Sequence, residues 1–212
     1  MNKRNYQKEL DALIERNTRE RIRPRLLLHV CCAVCASYVL EYLAPHFDIT
    51  IAYYNPNITE ESEYRYRYSE LRRYVAEAGL SGSVHFTEVD YDPEAFLSLT
   101  EGREEEREGG ARCALCFRQR LAYTARLCRD GGYDCFATTL TISPLKNAVT
   151  LNTIGEQLAE EYGVSYLCSD FKKKEGYKRS IELSKRYNLY RQNYCGCLYS
   201  KKEAESRTQT TG

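Results

Sequence analysis

The sequence predicts an α/β fold in which helices cover both faces of a parallel sheet. Five short apolar runs have the length and composition of strands, at residues 25–30, 49–54, 84–89, 134–139 and 164–167. Segments with helical spacing of apolar residues lie between these runs, and strands that alternate with helices indicate a parallel sheet. The length of 212 residues allows one such domain.

Apolar residues recur at helical spacing in six segments. They predict helices at residues 5–18, 36–43, 64–78, 113–129, 151–162 and 177–187. Pro45 and Gly79 follow two of these segments and end the helices there. The stretch 101–110 is rich in charge, bounded by glycines and without an apolar face, so we expect a mobile loop.

The chain is expected to form a single domain. It contains no internal repeat and no linker rich in Pro, Gly or Ser. We therefore assign an N-terminal helical extension to residues 1–24 and one α/β domain to residues 25–200. The polar residues 201–212 are predicted to form a tail that frays.

Composition and charge exclude several classes of protein. The hydrophobic fraction of 42% and the charged fraction of 29% exclude a disordered or collagen-like chain. The net charge of +1 gives no argument for nucleic acid, so any basic surface is local. The most leader-like stretch, residues 26–40, is internal, contains His29 and Tyr38, and is too short to span a bilayer. We expect a cytoplasmic protein with reduced thiols and no membrane partner.

The ten cysteines carry the strongest functional signal. In a reducing compartment, clustered cysteines indicate metal or redox chemistry rather than disulfides. Seven of them form the clusters Cys31-Cys32-x-x-Cys35, Cys113-x-x-Cys116 and Cys195-x-Cys197. The second cluster opens a predicted helix, whose positive end stabilises thiolates, and several arginines nearby favour an anionic centre. The remaining three fit buried apolar positions: Cys128, Cys135 and Cys168.

Four loops that follow predicted strands converge on one edge of the sheet. These loops carry Cys31, Asn55, Ser143 and Ser169. Ligands of open parallel sheets bind outside the carboxyl ends of the strands. The sequence therefore predicts the functional site at this edge, with the first cysteine cluster in it.

The number of clustered cysteines bears on the kind of metal. A closed zinc site uses four ligands, and the three thiols left over do not readily build a second site with His29, His46 and His85. A 4Fe-4S cluster also takes four cysteines, and it leaves three for a second, open metal site or for redox thiols. The count favours iron-sulfur over structural zinc, and both stay open on the residues alone.

Basic and aromatic residues lie near the predicted site. Arg65 and Arg72 stand on the helix after the second strand, Lys172 and Lys173 follow the fifth strand, and Arg191 precedes the last cysteine pair. Each run by itself is more typical of a solvated surface. Together they favour a phosphate backbone as partner, because local basic residues bind it even at low net charge. The tyrosines suited to stacking on unpaired bases are Tyr53, Tyr54, Tyr190 and Tyr194.

Six motifs, in this order, resemble one protein family. They are HVCCAVC at 29–35, YNPNI at 54–58, CALCFRQRL at 113–121, TTL at 138–140 with SP at 143–144, DFKK at 170–173 and YRQNYCGC at 190–197. Together they resemble the QueH type of epoxyqueuosine reductase over residues 25–200. The resemblance implies the cobalamin-independent last step of queuosine biosynthesis, in which epoxyqueuosine at the wobble position of tRNA is deoxygenated to queuosine with two electrons.

The same resemblance implies a fold, cofactors and partners. The fold is a Rossmann-like parallel sheet of the adenine nucleotide alpha hydrolase type, with cysteines on the first-strand loop where relatives bind phosphate. The cofactors are a 4Fe-4S cluster and a mononuclear iron beside it. The partners are the anticodon loop of tRNA and an external electron donor, which makes 25–200 the catalytic domain.

The resemblance also implies roles for individual residues. The expected cluster ligands are Cys31, Cys32, Cys113 and Cys116. The expected ligands of the second iron are Cys35, Cys195, Cys197 and Asp170. The resemblance also offers Asp170 as a proton donor. Independently of the resemblance, the hydroxyl groups of Tyr53 and Tyr194 are further candidate proton donors, and the local charge gives the expected RNA contacts: Arg65, Arg72, Lys172, Lys173 and Arg191. This chain departs from the family pattern at Val34, where Pro is usual, and at Asn147-Ala148, where an acidic residue and a histidine are common.

Two other functions stay open. A tRNA sulfur-transferase of the same sheet type needs a pyrophosphate loop such as Ser-Gly-Gly-x-Asp-Ser after the first strand, and residues 31–37 contain neither Gly nor Asp. A zinc-stabilised RNA-binding protein without enzymatic activity would be colourless and would unfold when a chelator removes the zinc.

Overall fold

A computed structural model describes residues 4–210, and in these residues four parallel strands form one sheet. The strands are β1 (Arg25–His29), β2 (Asp48–Ala52), β3 (Val84–Phe86) and β4 (Cys135–Thr138). Their order across the sheet is β3-β2-β1-β4. The register pairs Leu28 of β1 with Ile51 of β2 on one side and with Ala137 of β4 on the other.

The helices lie on both faces of this sheet. They are α1 (Tyr6–Glu20), α2 (Ala33–Leu43), α3 (Glu61–Glu77), α4 (Pro93–Thr100), α5 (Ala111–Asp130), α6 (Ala148–Tyr162), α7 (Gly176–Arg186) and α8 (Leu198–Thr210). Helix α2 packs against α3 and α7, whereas α5 packs against α6. A short 3-10 helix, Thr139–Ile142, continues β4.

Alternate residues of β1 and β4 point to opposite faces, and beyond Arg25 both sets are buried. Leu26 and Leu28 belong to the core under α1, α2 and α3, whereas Leu27 and Phe136 belong to the core under α5 and α6. Parallel strands that are apolar on both faces require helices on both sides. The predicted α/β class with a Rossmann-like parallel sheet is thus confirmed.

Three local predictions differ from the structure. Helix α2 starts at Ala33 rather than at residue 36, because the Cys32 sulfur accepts a hydrogen bond from the Cys35 amide and caps the helix. Residues 164–167 do not form a regular strand, since only one bridge joins Tyr166 to Phe136. The segment from residue 201 is helical as far as Thr210 rather than frayed, because α8 packs through Tyr199 against Phe96. Residues 211–212 lie outside the described residues.

Within residues 4–210, no helix has both the length and the apolar character needed to cross a membrane.

Candidate metal centre

The first cysteine cluster lies where the connection pattern of the sheet reverses. From β1 the chain proceeds to β2 and β3 on one side, and it then crosses to β4 on the other side of β1. The carboxyl ends of β1 and β4 therefore form the crevice in which such sheets bind ligands. Cys31 follows β1 and Thr139 follows β4, and their Sγ and Oγ1 atoms are 3.7 Å apart.

The thiols of Cys31, Cys32 and Cys35 form a compact triad in this crevice. Their sulfur atoms all lie within 4.8 Å of one another, and those of Cys31 and Cys32 are 3.9 Å apart. Hydrogen bonds from the other two thiols lower the pKa of Cys31 well below its usual value, whereas sharing that charge raises the pKa of Cys32 to about 12. Three sulfurs this close together, one of them with a lowered pKa, favour binding of a cation.

Four further thiols line a second cavity next to α5. They belong to Cys113, Cys116, Cys195 and Cys197, and the cavity wall includes Phe96 and Phe117. Burial raises the pKa of Cys116 to about 12 and also raises the pKa of Cys113 and Cys197. Thiols with a raised pKa hold their protons more tightly, and a bound metal would displace those protons.

The segment that carries the last two cysteines is held by a glycine and a buried arginine. Gly196 has a φ of +122°, a conformation that side chains rarely adopt, and this lets the flanking cysteines turn toward one cavity. Arg67 is 2% exposed, pairs with Glu63, and donates from Nη1 to the Cys195 carbonyl at 3.1 Å. Cys197 accepts a hydrogen bond from the Ser200 amide at the start of α8.

Another buried arginine, Arg120, lies between the two thiol groups. Its Nη2 donates to Asn55 Oδ1 at 2.6 Å, its Nε faces His29 Nε2 at 3.3 Å, and its Nη1 lies 3.9 Å from the Cys116 sulfur. Burial lowers the pKa of Arg120, but negative charge on Cys116 and Cys31, among other thiols, outweighs burial and raises it. Within residues 4–210 it forms no ion pair with a carboxylate.

Lys146 adds a second positive charge near the thiols. Burial lowers its pKa, but negative charge on Cys195, Cys31 and Cys35 raises the pKa more, so the net shift is upward. The loop that carries it follows the 3-10 helix and borders a hollow shared with Asp170. Its positive charge therefore acts on thiols of both groups, Cys195 in one and Cys31 and Cys35 in the other.

Comparisons with known proteins identify relatives over most of this chain. A model of the family described as "Epoxyqueuosine reductase QueH" matches residues 26–203. A protein of that name from Streptococcus pyogenes serotype M1 is 44% identical over 200 residues, which cover 93% of this chain and 78% of the relative. This chain belongs to the epoxyqueuosine reductase QueH family. It is therefore an oxidoreductase.

More distant QueH relatives match over a similar range. The protein of that name from Staphylococcus epidermidis is 43% identical, over 92% of this chain and 84% of its own length. The one from Thermotoga maritima is 33% identical, over 86% of this chain and 93% of its own length. Neither of the alternatives that the residues left open, the sulfur-transferase and the non-enzymatic RNA-binding protein, is the family that these comparisons give.

The thiols of this QueH-family enzyme fit iron centres of two sizes. Sulfur atoms bound to one tetrahedral metal ion at about 2.3 Å lie about 3.8 Å apart, which matches the 3.9 Å between Cys31 and Cys32. The other cavity is lined by four thiols. Four is the number of cysteines that a 4Fe-4S cluster takes.

This grouping differs from the one that the resemblance implies. The resemblance pairs Cys31 and Cys32 with the cluster ligands, whereas the structure brings them together with Cys35. It likewise brings Cys195 and Cys197 to the cavity that also contains the Cys113–Cys116 pair. Spacing along the chain shows which thiols form a pair but not which pairs face each other, so sequence reasoning had no signal for this grouping.

The residues expected to donate protons lie at different depths. Asp170 pairs with Lys172 at 2.6 Å and borders the hollow of Lys146, outside the compact thiol triad. Tyr53 is 1% exposed in the core, and its hydroxyl donates to the Tyr64 carbonyl, which favours a structural role. Tyr194 is half-buried beneath the Arg67 guanidinium.

The basic residues expected to contact RNA also differ in their partners. Arg65 is exposed but paired with Glu61, and Arg72 packs on the ring of Phe86. Within residues 4–210, Arg72, Lys173 and Arg191 form no ion pair with a carboxylate, and Arg191 is exposed. Lys173 lines the hollow that Lys146 and Asp170 share.

Arg112 is a functional candidate that sequence reasoning treated only as a nearby charge. It is 2% exposed, donates to the carbonyls of Arg103 and Glu104, and lies under the ring of Tyr199. It thereby joins the acidic loop 101–110 to α8 beside Cys113. The loop expected to be mobile is thus anchored at one point in the wall of the four-thiol cavity.

Proposed function

We propose that this QueH-family enzyme reduces epoxyqueuosine to queuosine at the wobble position of tRNA. The family membership supports the reaction, and the observation that carries the mechanism is the meeting of seven thiols at the carboxyl edge of the sheet. The reaction consumes two electrons and two protons, breaks both carbon–oxygen bonds of the epoxide, forms a carbon–carbon double bond and releases water. The electrons come from an external donor.

The metal assignment that the spacing favours uses the two thiol groups separately. Cys113, Cys116, Cys195 and Cys197 would hold the 4Fe-4S cluster, and Cys31, Cys32 and Cys35 would hold the mononuclear iron. When bound, these iron centres supply the electrons and a Lewis acid for the epoxide oxygen. A triad gives the second iron only three protein ligands, which leaves coordination open for substrate.

The chain's own residues would bind the nucleoside, exclude water and deliver protons. Lys146 and Arg120 hold positive charge beside the thiols, which stabilises negative charge that develops on the substrate oxygen. Asp170 lines the same hollow as Lys146, and the ring of Tyr194 lies against the Arg67 guanidinium. Each is therefore a candidate to donate a proton at the edge of the site. Tyr53 is the weakest of the three because its hydroxyl already has a partner in the core.

The tRNA would lie along the edge where the strands end. Lys173 and Arg191 would contact its phosphates, with Arg65, Arg72 and Lys172 at the margins, and ring faces such as Tyr194 would stack on unpaired bases of the anticodon loop. We expect the reaction in the cytoplasm, where tRNA and reduced thiols occur together.

Activity of anaerobically purified protein tests the proposed function. The protein is assayed for iron, sulfide and visible absorbance, then supplied with a chemical reductant and tRNA that contains epoxyqueuosine. We expect one oxygen atom to be lost from the nucleoside, detected by mass spectrometry after digestion of the tRNA. Full activity of an iron-free, colourless protein would refute the metal mechanism, and stoichiometric zinc with no reduction would refute the reductase.

A panel of serine substitutions separates the ligand assignments. Cys195→Ser should reduce cluster absorbance strongly, whereas Cys31→Ser should remove about one iron per chain and leave the cluster spectrum in place. Cys128→Ser is the control, because Cys128 is buried under α5 away from both thiol groups and donates to the Tyr133 carbonyl. If Cys31→Ser and not Cys195→Ser abolishes the cluster spectrum, the assignment implied by the resemblance is the right one.

A further inference from the structure

Arg120 is a buried cation whose countercharge within the protein is sulfur. It is 1% exposed, and within the described residues its polar contacts are Asn55, His29 and the Cys116 thiol. An unpaired buried charge is costly, so such groups are kept where an opposite charge lies close by. The Cys116 sulfur lies 3.9 Å from Nη1, and it would supply that charge once it binds a metal and loses its proton.

Two neutral side chains fix the position of this guanidinium. Asn55 donates from Nδ2 to the Val30 carbonyl at 2.9 Å, which turns its amide oxygen toward Arg120. His29 is fully buried, and its Nδ1 lies 2.9 Å from Thr138 Oγ1. Its Nε2 lies 3.3 Å from Arg120 Nε and 3.1 Å from the Tyr54 carbonyl oxygen, so the ring is held on both sides.

We propose that Arg120, held by His29 and Asn55, is a positioning residue that balances the negative charge of the thiolate-bound iron and raises its reduction potential. This inference rests on the proposed function. Reduction adds one negative charge to a centre that four thiolates already make anionic. A fixed cation at the distance of Arg120 from Cys116 stabilises the reduced form more than the oxidised form, because the interaction grows with the charge.

Four variants of the anaerobic, iron-loaded enzyme test this role. Arg120→Gln removes the charge, Arg120→Lys keeps it, and Asn55→Asp places a carboxylate against an unchanged Arg120. Arg118→Gln is the matched control, because Arg118 lies on the same helix but is exposed and pairs with Glu161. The reduced fraction of the cluster is followed by visible absorbance against a series of redox mediators, independently of tRNA turnover.

We expect both charge-neutralising variants to move the midpoint to more negative potential. At a potential that half-reduces the wild-type cluster, the reduced-to-oxidised ratio should fall about tenfold or more in Arg120→Gln and Asn55→Asp. The ratio for Arg120→Lys should lie between those of these two variants and of wild type, and the ratio for Arg118→Gln should equal that of wild type. Asn55→Asp keeps the side-chain volume, so it carries the test if Arg120→Gln does not fold.

The outcomes separate this inference from the proposed function. A wild-type protein that binds no cluster contradicts the proposed function. A wild-type cluster whose potential is unchanged in Asn55→Asp and in any folded Arg120→Gln overturns the inference alone. Loss of thermal stability in Arg120→Gln without a shift in potential would show that Arg120 is merely structural, and it also overturns the inference.

Discussion

Gly196→Ala should open the four-thiol cavity while the sheet stays folded. A Cβ atom at this position would lie 2.8 Å from Ile58 Cγ1 and 3.2 Å from Arg67 Nη1, and the φ of +122° is strained for alanine. Arg67 Nη1 also donates to the Cys195 carbonyl. The added methyl group therefore pushes against the side chain that holds this segment in place.

The expected cost is local. Backbone strain of this kind costs about 1–3 kcal/mol, which is less than the roughly 5–15 kcal/mol that keeps a domain folded. If the segment relieves the strain by moving, its displaced conformations become about 5- to 150-fold more populated, since about 1.4 kcal/mol is a tenfold change. Cys195 and Cys197 should then leave the cavity more often.

Thiol reactivity and cluster content measure this effect. In metal-free protein, Cys195 and Cys197 should react faster with a thiol reagent, as identified by peptide mass spectrometry. After anaerobic reconstitution, cluster absorbance should fall while circular dichroism stays that of wild type. Gly82→Ala is the control, since a Cβ there meets nothing within 4 Å. Wild-type reactivity and cluster content in Gly196→Ala would refute the reasoning.

Three further substitutions test other contacts. Asp11→Asn should lower the free energy of unfolding by about 1–2 kcal/mol at neutral pH, because hydrogen bonds from Lys174 and Tyr42 outweigh burial and hold the pKa of Asp11 below its usual 3.8. This stabilisation is complete above pH 3.8 and is lost as pH falls through the lower, folded-state pKa, which urea unfolding across pH measures. Arg112→Ala should expose loop 101–110 to limited proteolysis, because the Arg103 and Glu104 carbonyls lose their donor. Lys173→Gln should weaken tRNA binding and reduce the salt dependence of the association constant by about one phosphate contact.

Each of these substitutions has a matched control. Glu15→Gln changes an exposed carboxylate of α1 and should leave the pH dependence of stability unchanged; equal slopes for Asp11→Asn and wild type would contradict the first prediction. Arg107→Ala changes an exposed arginine of the same loop, and equal proteolysis of both arginine variants would count against the second. Arg129→Gln lies at the far end of α5 and should not alter tRNA binding; an effect equal to that of Lys173→Gln would mean that binding is non-specific.

Much of the fold follows from sequence periodicity because the sheet is buried on both faces. Runs such as Leu26 to Leu28 are apolar at every position, and a chain with such runs needs helices on either side. The errors came from tertiary contacts. Tyr166 pairs with β4 through one bridge only, and α8 is stabilised by packing of Tyr199 that its polar sequence does not reveal.

The site was predictable in composition and place but not in arrangement. The rule on carboxyl ends of strands placed Cys31 in a crevice, and the structure has it there beside Thr139. The rule gives no distance between segments far apart in sequence, so the meeting of Cys116 with Cys197 needed coordinates. Nothing in the sequence indicated the role of His29 and Arg120, for the same reason. Among the described residues, the two side chains are buried against each other without a carboxylate partner, and only coordinates show this.

The four-thiol cavity also has an order of assembly. The thiols on α5 are synthesised before β4 and α6, whereas the pair around Gly196 follows the entire sheet in the sequence. A nascent chain therefore presents two sulfurs with no wall opposite them. If the four thiols hold the proposed cluster, a metal ion captured at that stage would have half of its ligands, and we expect loading only after the last helix has docked.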